Sequence, residues 1–348
     1  MSAPSNPILG TLFHACGGLC ASLCYTPQKK IRVWSWETYW LAQAAFCWLI
    51  LPVVGALLTI PELGVVLAEA PKAAMLRSFG LGVLYGVGGI SFGVAIRYLG
   101  FALTYSIAVG LSSVLGTLLP PLVAGRLGVT LTGQGGGWVI SGVMIGAIGI
   151  GICGWSSWLK QGDLSGAAMP TTFSARKGVP LCLLAGVLSA VFSFSLAAGQ
   201  PVADVAAAHG AGHYQGNVIY LFSNTGAFAT SAVYCLWLGR RNRSLGEYTS
   251  AASPLAANWS LAALSGLLWY CQFFFYGLGH TRMGPYGFSS WALHMILLVA
   301  FSNVLGLVLH EWRGCRVRTL RVLTIALVVL VAAVLTIAYG NNLGSAAS

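Results

Sequence analysis

Ten apolar stretches alternate with short polar connections along this chain. A helix needs about 20 mostly apolar residues to cross a bilayer. That length predicts spans at 8–26, 36–60, 74–96, 101–124, 138–159, 178–200, 214–238, 258–280, 286–310 and 319–340. Connections are short except 161–177 and 201–213. The first of these is polar, contains Gly and Pro, and acts as a connector between five spans in residues 1–160 and five in 178–348. Five is odd, so duplicated halves would be inverted relative to each other. This is a common transporter plan, with the substrate site near the midplane where the halves meet. The expected fold is therefore an all-α integral membrane protein, a single membrane domain of ten transmembrane helices in a 5+5 inverted repeat.

Composition sharpens that picture. Only 7% of the 348 residues are charged and 57% are hydrophobic, against about 25% charged in a soluble domain. Little soluble mass is left. Glycine, at 45 residues, well exceeds the usual ~7%. Gly82, Gly86, Gly89 and Gly93, and likewise Gly142, Gly146 and Gly149, recur at helical spacing. Such stripes let helix backbones approach closely.

The net charge of +11 does not point to nucleic acid, because the basic residues sit in short loops. Fourteen of the 18 Lys and Arg follow odd-numbered spans, among them Lys29, Lys30, Arg32, Lys160 and Arg240; Lys72, Arg77, Arg126 and Arg282 lie on the other side. Basic loops stay cytoplasmic, so both termini are expected in the periplasm. Residues 1–10 hold no Lys or Arg, and no signal peptide is expected. The nine cysteines form no C-x-x-C pair. Cys16, Cys20 and Cys24 read as small apolar filler. Paired carboxylates, metal-ligand spacing and a nucleophile elbow are all lacking, so neither an enzyme nor a cofactor is expected.

The chemistry concentrates in residues 266–294, GLLWYCQFFFYGLGHTRMGPYGFSSWALH. Trp269, Gln272, Tyr276 and His280 follow steps of three and four, so they share one helix face. Aromatic planes pack on the C–H face of a sugar ring, and amide, imidazole and phenol groups bond its hydroxyls; drug and nucleobase sites use the same groups. Trp269, Gln272, Tyr276 and His294 are thus substrate-binding candidates. Interfacial anchoring fits Trp269 and Gln272 poorly, because they fall near mid-span. With this topology His14, His280, His294, Asp204, His209 and His213 gather toward the outer side. Intramembrane ionisable groups often carry protons, which makes His14, His280 and Asp204 coupling candidates. Glu37 begins the second span, where Lys29 or Lys30 could pair with it as a structural or gating contact.

At these residues the chain resembles the L-rhamnose–proton symporters, bacterial inner-membrane members of the drug/metabolite transporter superfamily. The resemblance is sharpest at YTPQKKIRVWSWETYW (25–40), RYLG (97–100), LLWYCQFFFYGLGHTR (267–282), SWALHM (290–295) and GLVLHEW (306–312). It implies ten helices with periplasmic ends in the inner membrane, and uptake of L-rhamnose or a close deoxyhexose with protons. The partners would be sugar, protons and lipid, without nucleic acid. The chain departs from the family pattern in places. Residues 88–93 read GGISFG where the family has G-N-I-N-Y-G, and 283–291 are one residue shorter and lack an Asp. Gln200 stands where a Lys precedes proline, and Asp204 replaces a Glu. Export of another metabolite or drug, and a sugar sensor that does not transport, are the alternatives.

Overall fold

The computed structural model describes residues 5–125, 127–164 and 174–346, and every regular element among them is a helix. Arg126 and the centre of the 161–177 connector lie outside the described residues. In chain order the helices are α1 (Pro7–Leu23), α2 (Trp36–Thr59), α3 (Leu63–Glu69), α4 (Lys72–Leu99), α5 (Phe101–Val123), α6 (Leu127–Thr132), α7 (Gly136–Leu164), α8 (Ala175–Ala208), α9 (Tyr220–Asn242), α10 (Leu255–His280), α11 (Ser290–Val308) and α12 (Val317–Ala346). A π-turn at Ala45–Ile50 interrupts α2.

Nine segments among the described residues have the length and apolarity to cross a membrane. The exception among the ten expected spans is 214–238. Residues Gly212–Val218 form a 3-10 helix, and α9 follows with 23 residues. It has the length, but Ser223, Asn224, Thr225, Thr230 and Ser231 dilute its apolar character. The long connection expected at 201–213 is mostly helix, because α8 continues to Ala208. The short helices α3 and α6 occupy stretches that span length alone reads as loops.

The outward surfaces are apolar. Leu58 is 80% exposed and Val233 72%. On α12, Ile325, Val328, Val331 and Leu335 are exposed while Ala326, Leu330, Ala333 and Ile337 are buried. Bare aliphatic stripes of this kind suit a hydrocarbon solvent, where the helix satisfies its own backbone.

The helices group into two compact units. The first combines Cys20–Val87 with Phe194–Leu278; the second combines Pro4–Leu19, Gly88–Ser193 and Gly279–Ser348, within the described residues. In the first unit α4 and α9 meet backbone to backbone. A methyl group at Gly82 would strike the carbonyl of Ser223, and one at Gly226 the carbonyl of Phe79. Only residues without a side chain permit that approach. Ile60, Val66 and Ala70 pack with Val202, Ala203 and Ala206, which seats α3 on the end of α8. In the second unit the stripe Gly142, Gly146 and Gly149 of α7 receives Ile337, Ile296 and Leu330, as small-residue spacing predicts.

Candidate functional site

Three of the four stripe residues on α10 lie in the first unit and are buried. Trp269, Gln272 and Tyr276 are each at most 7% exposed. The Trp269 ring meets Tyr25 at 5.3 Å, Trp48 at 5.4 Å and Trp40 at 5.7 Å between centroids. Trp40 stacks on Trp36 at 5.2 Å, and Trp48 meets Tyr85 at 6.2 Å. Two turns along α10, Tyr276 neighbours Tyr220, whose hydroxyl donates to the Phe273 carbonyl at 2.7 Å. By contrast Trp138, Trp155, Trp158 and Trp237 are exposed. Those four fit an interfacial belt; Trp269 belongs to an interior wall. Such a wall supplies flat apolar plates with polar edges, the surface a sugar ring needs.

Amides and hydroxyls continue this wall. The Tyr39 hydroxyl lies 2.6 Å from Ser265 Oγ and donates to Gln43 Oε1 at 2.8 Å. Trp40 Nε1 donates to Ser231 Oγ at 3.4 Å. The residues missed by sequence reasoning are therefore Trp40, Gln43 and Trp48 of α2, with Tyr25 and Tyr85. A signal was available: aromatics and one amide inside the apolar run from 36 to 50 meet the same criterion that singles out Trp269 and Gln272.

The second unit gathers the three intramembrane histidines. The rings of His14 and His294 lie 6.3 Å apart in a T-shaped arrangement. His280 is an electrostatic neighbour of His14, and its Nδ1 is 3.2 Å from Ser290 Oγ. His14 and His294 are buried, at 0% and 2% exposed. A methyl group at Gly279 would fall 2.9 Å from His14 Nε2, so the glycine leaves room for the imidazole. Trp291, one turn before His294, donates through Nε1 to the Ser112 carbonyl at 3.0 Å and fixes this face of α11. Among the described residues no group of three or more His, Cys, Asp and Glu could hold a metal ion.

The remaining predicted residues lie toward the helix ends. Asp204 is exposed and accepts from Gln200 Nε2 at 2.8 Å, one turn earlier on α8. Nearby His209 bridges two carboxylates, with Nε2 2.8 Å from Glu69 and Nδ1 3.3 Å from Glu62. These bonds hold the imidazole pKa above its ordinary value, with Glu69 contributing most. At the other end of α2, the Glu37 carboxylate accepts from Asn242 Nδ2 at 2.8 Å and Ser244 Oγ at 2.9 Å. Lys29 and Lys30 end the 3-10 helix Pro27–Lys30.

Comparison with known proteins adds a whole-length match. Residues 4–343 match the family described as L-rhamnose-proton symport protein (RhaT). An L-rhamnose-proton symporter of Cronobacter sakazakii is 36% identical over 335 residues, covering 94% of this chain and 96% of that protein. The L-rhamnose-proton symporter of Klebsiella pneumoniae is 34% identical, covering 93% and 95%. A solved structure titled "Crystal structure of protein" superposes with TM-score 0.56 at 15% identity, covering 94% of this chain and 95% of that one; it shares the fold. From the length of the family match and the identity to its relatives, the chain belongs to the L-rhamnose-proton symport protein family.

Proposed function

We propose that this chain imports L-rhamnose, or a close deoxyhexose, with protons across the bacterial inner membrane by alternating access. The observation that carries the reading is the buried wall of Trp269, Gln272 and Tyr276 beside Trp40 and Trp48. In this reading Trp269 supplies the plane for the sugar's C–H face. Gln272, Tyr276 and His294 supply hydrogen bonds. His14 and His280, with Asp204 nearer the outside, take up and release the coupled proton. Glu37, Lys29 and Lys30 act at the cytoplasmic end as gating or structural charges.

The architecture that accompanies this reading has ten transmembrane helices, α9 completing the set, with both termini in the periplasm. Residues 1–160 and 178–348 form the two inverted halves. Corresponding spans support the repeat. Spans 2, 3, 7 and 8 lie mainly in the first compact unit, while 4, 5, 9 and 10 lie in the second. Spans 1 and 6 both pass between units, at Leu19/Cys20 and Ser193/Phe194. Spans 3 and 8 do so as well, at Val87/Gly88 and Leu278/Gly279. Every position thus pairs with the one five spans later.

The test is to express the chain in cells lacking their own rhamnose uptake, de-energise them, and add L-rhamnose while recording external pH. Alkalinisation with uptake of labelled sugar is the expected result. Sugar uptake without a pH change would remove proton coupling from the reading. Neither signal, with the protein present in the membrane, would favour export or another substrate.

A further inference from the structure

Among the buried N–H groups of the first unit without a hydrogen-bond partner are Gln43 Nε2, Trp48 Nε1 and Asn224 Nδ2. Gln43 and Asn224 are fully buried, and Trp48 is 1% exposed. Their acceptor atoms are in use. Gln43 Oε1 accepts from Tyr39, and Asn224 Oδ1 accepts from Ser223 Oγ at 3.4 Å. What each of the three side chains leaves unmade is an N–H donor. A buried donor left unmade carries its full desolvation cost, so a fold retains three of them only where an acceptor arrives.

The backbone brings these donors to the aromatic wall. In an unbroken α-helix Trp48 would sit about 80° around the axis from Trp40. The π-turn at Ala45–Ile50 holds one extra residue, which winds Trp48 back by about 100° onto the Trp40 face. Both rings accordingly reach Trp269, and they meet each other at 6.2 Å. Gln43 lies one turn from Trp40 on α2. Asn224 lies two turns from Ser231 on the same face of α9, and Ser231 receives the Trp40 indole N–H. α9 packs along α2 and its π-turn, which sets Asn224 toward the level of Trp48.

We propose that Gln43, Trp48 and Asn224 determine specificity for an uncharged, oxygen-rich ligand by donating to its hydroxyl or ring oxygens beside the Trp40–Trp48–Trp269 plates. The inference rests on the sugar reading above and extends it to residues on α2 and α9. A lipophilic cation would suit the rings alone, but it has no acceptor and would leave every one of these donors unmade. The carboxylate of the same helix, Glu37, is already bonded by Asn242 and Ser244.

The experiment measures binding of L-rhamnose and of its monodeoxy analogues to the purified full-length protein in nanodiscs. Wild type is compared with Gln43→Leu, Asn224→Leu and Trp48→Phe, the last keeping an aromatic ring. Each variant is expected to bind L-rhamnose about tenfold more weakly. Each should also stop discriminating against one deoxy analogue, an effect that mere loosening of the fold would not produce. In wild type labelled with 5-fluorotryptophan, the Trp48 resonance should shift on adding L-rhamnose. This readout needs no folded Leu variant. If wild type binds L-rhamnose while the variants keep both affinity and discrimination, this inference fails and the sugar reading stands. If the Trp48 resonance moves with tetraphenylphosphonium but not with L-rhamnose, the wall is a cation cage and the inference is overturned. If wild type binds no rhamnose at all, both readings fall.

Discussion

The two compact units bury different chemistry. The first holds indoles, phenols and amides, groups that stay neutral across physiological pH and recognise shape and hydrogen-bond pattern. The second holds His14, His280 and His294, whose ring nitrogens can bind and release a proton. Buried glutamate in the first unit, Glu37, is tied by Asn242 and Ser244, whereas the His14 and His294 rings of the second face each other at 6.3 Å. A symporter needs both functions and gains when neither perturbs the other. A proton arriving among amides would weaken few sugar bonds, and a sugar hydroxyl among imidazoles would shift their proton affinity. On the proposed roles, recognition and coupling can be altered separately, with His294 the one second-unit histidine assigned to the sugar.

That separation can be broken most forcefully at the histidines. His294→Ala should lower proton-driven L-rhamnose accumulation by more than tenfold in cells with normal amounts of membrane protein. Wild-type accumulation would remove His294 from the mechanism. A loss of equilibrium binding equal to the loss of accumulation would support its place among the sugar's hydrogen-bond partners, and binding kept while accumulation is lost would move it to the coupling side. Gln272→Leu tests the other side. Loss of one buried hydrogen bond should weaken apparent affinity about tenfold, with the proton-to-sugar ratio unchanged; unaltered affinity would count against the α10 face.

The smallest effect is expected at His209, whose partners are Glu62 and Glu69. Its pKa is raised by Glu69 and Glu62. The folded state therefore favours the imidazolium, and the clip's stabilisation is complete below the imidazole's unfolded-state pKa. It is lost as pH rises through the raised folded value. The protection factors of the α3 amides, which correct exchange for its intrinsic base catalysis, should fall across that interval, and His209→Gln should abolish that fall. Wild-type protection factors that do not change with pH would show that apolar packing of Val66 and Ala70 alone seats α3.

The spans were legible because crossing a membrane is a matter of length and apolarity, properties local to the sequence. Hence α1, α4, α7 and α12 fall close to their expected bounds. The glycine stripe of α7 was legible for a similar reason, since spacing alone fixes a helix face. Trp269 and Gln272 stood out as polar and aromatic groups where hydrocarbon would exclude them. Their neighbours did not, because Trp40 and Trp48 share a face only after the π-turn, and a sequence read at 100° per residue separates them. The partners of Glu37 and His209 were hidden differently. Asn242, Ser244, Glu62 and Glu69 lie 140 residues or more away in the chain, and no local pattern encodes such pairings. α9 began later than expected because residues 212–218 wind as a 3-10 helix that hydropathy does not distinguish.

The π-turn also bears on how this segment can change over generations. Substitutions within Ala45–Ile50 alter one side chain at a time, and most leave the winding of the backbone alone. Deletion of a single codon there would relax the turn to ordinary α-helix and swing Trp36, Trp40 and Gln43 about 100° away from Trp48 in one step. For this stretch the residue count, more than residue identity, is the inherited property that selection must guard.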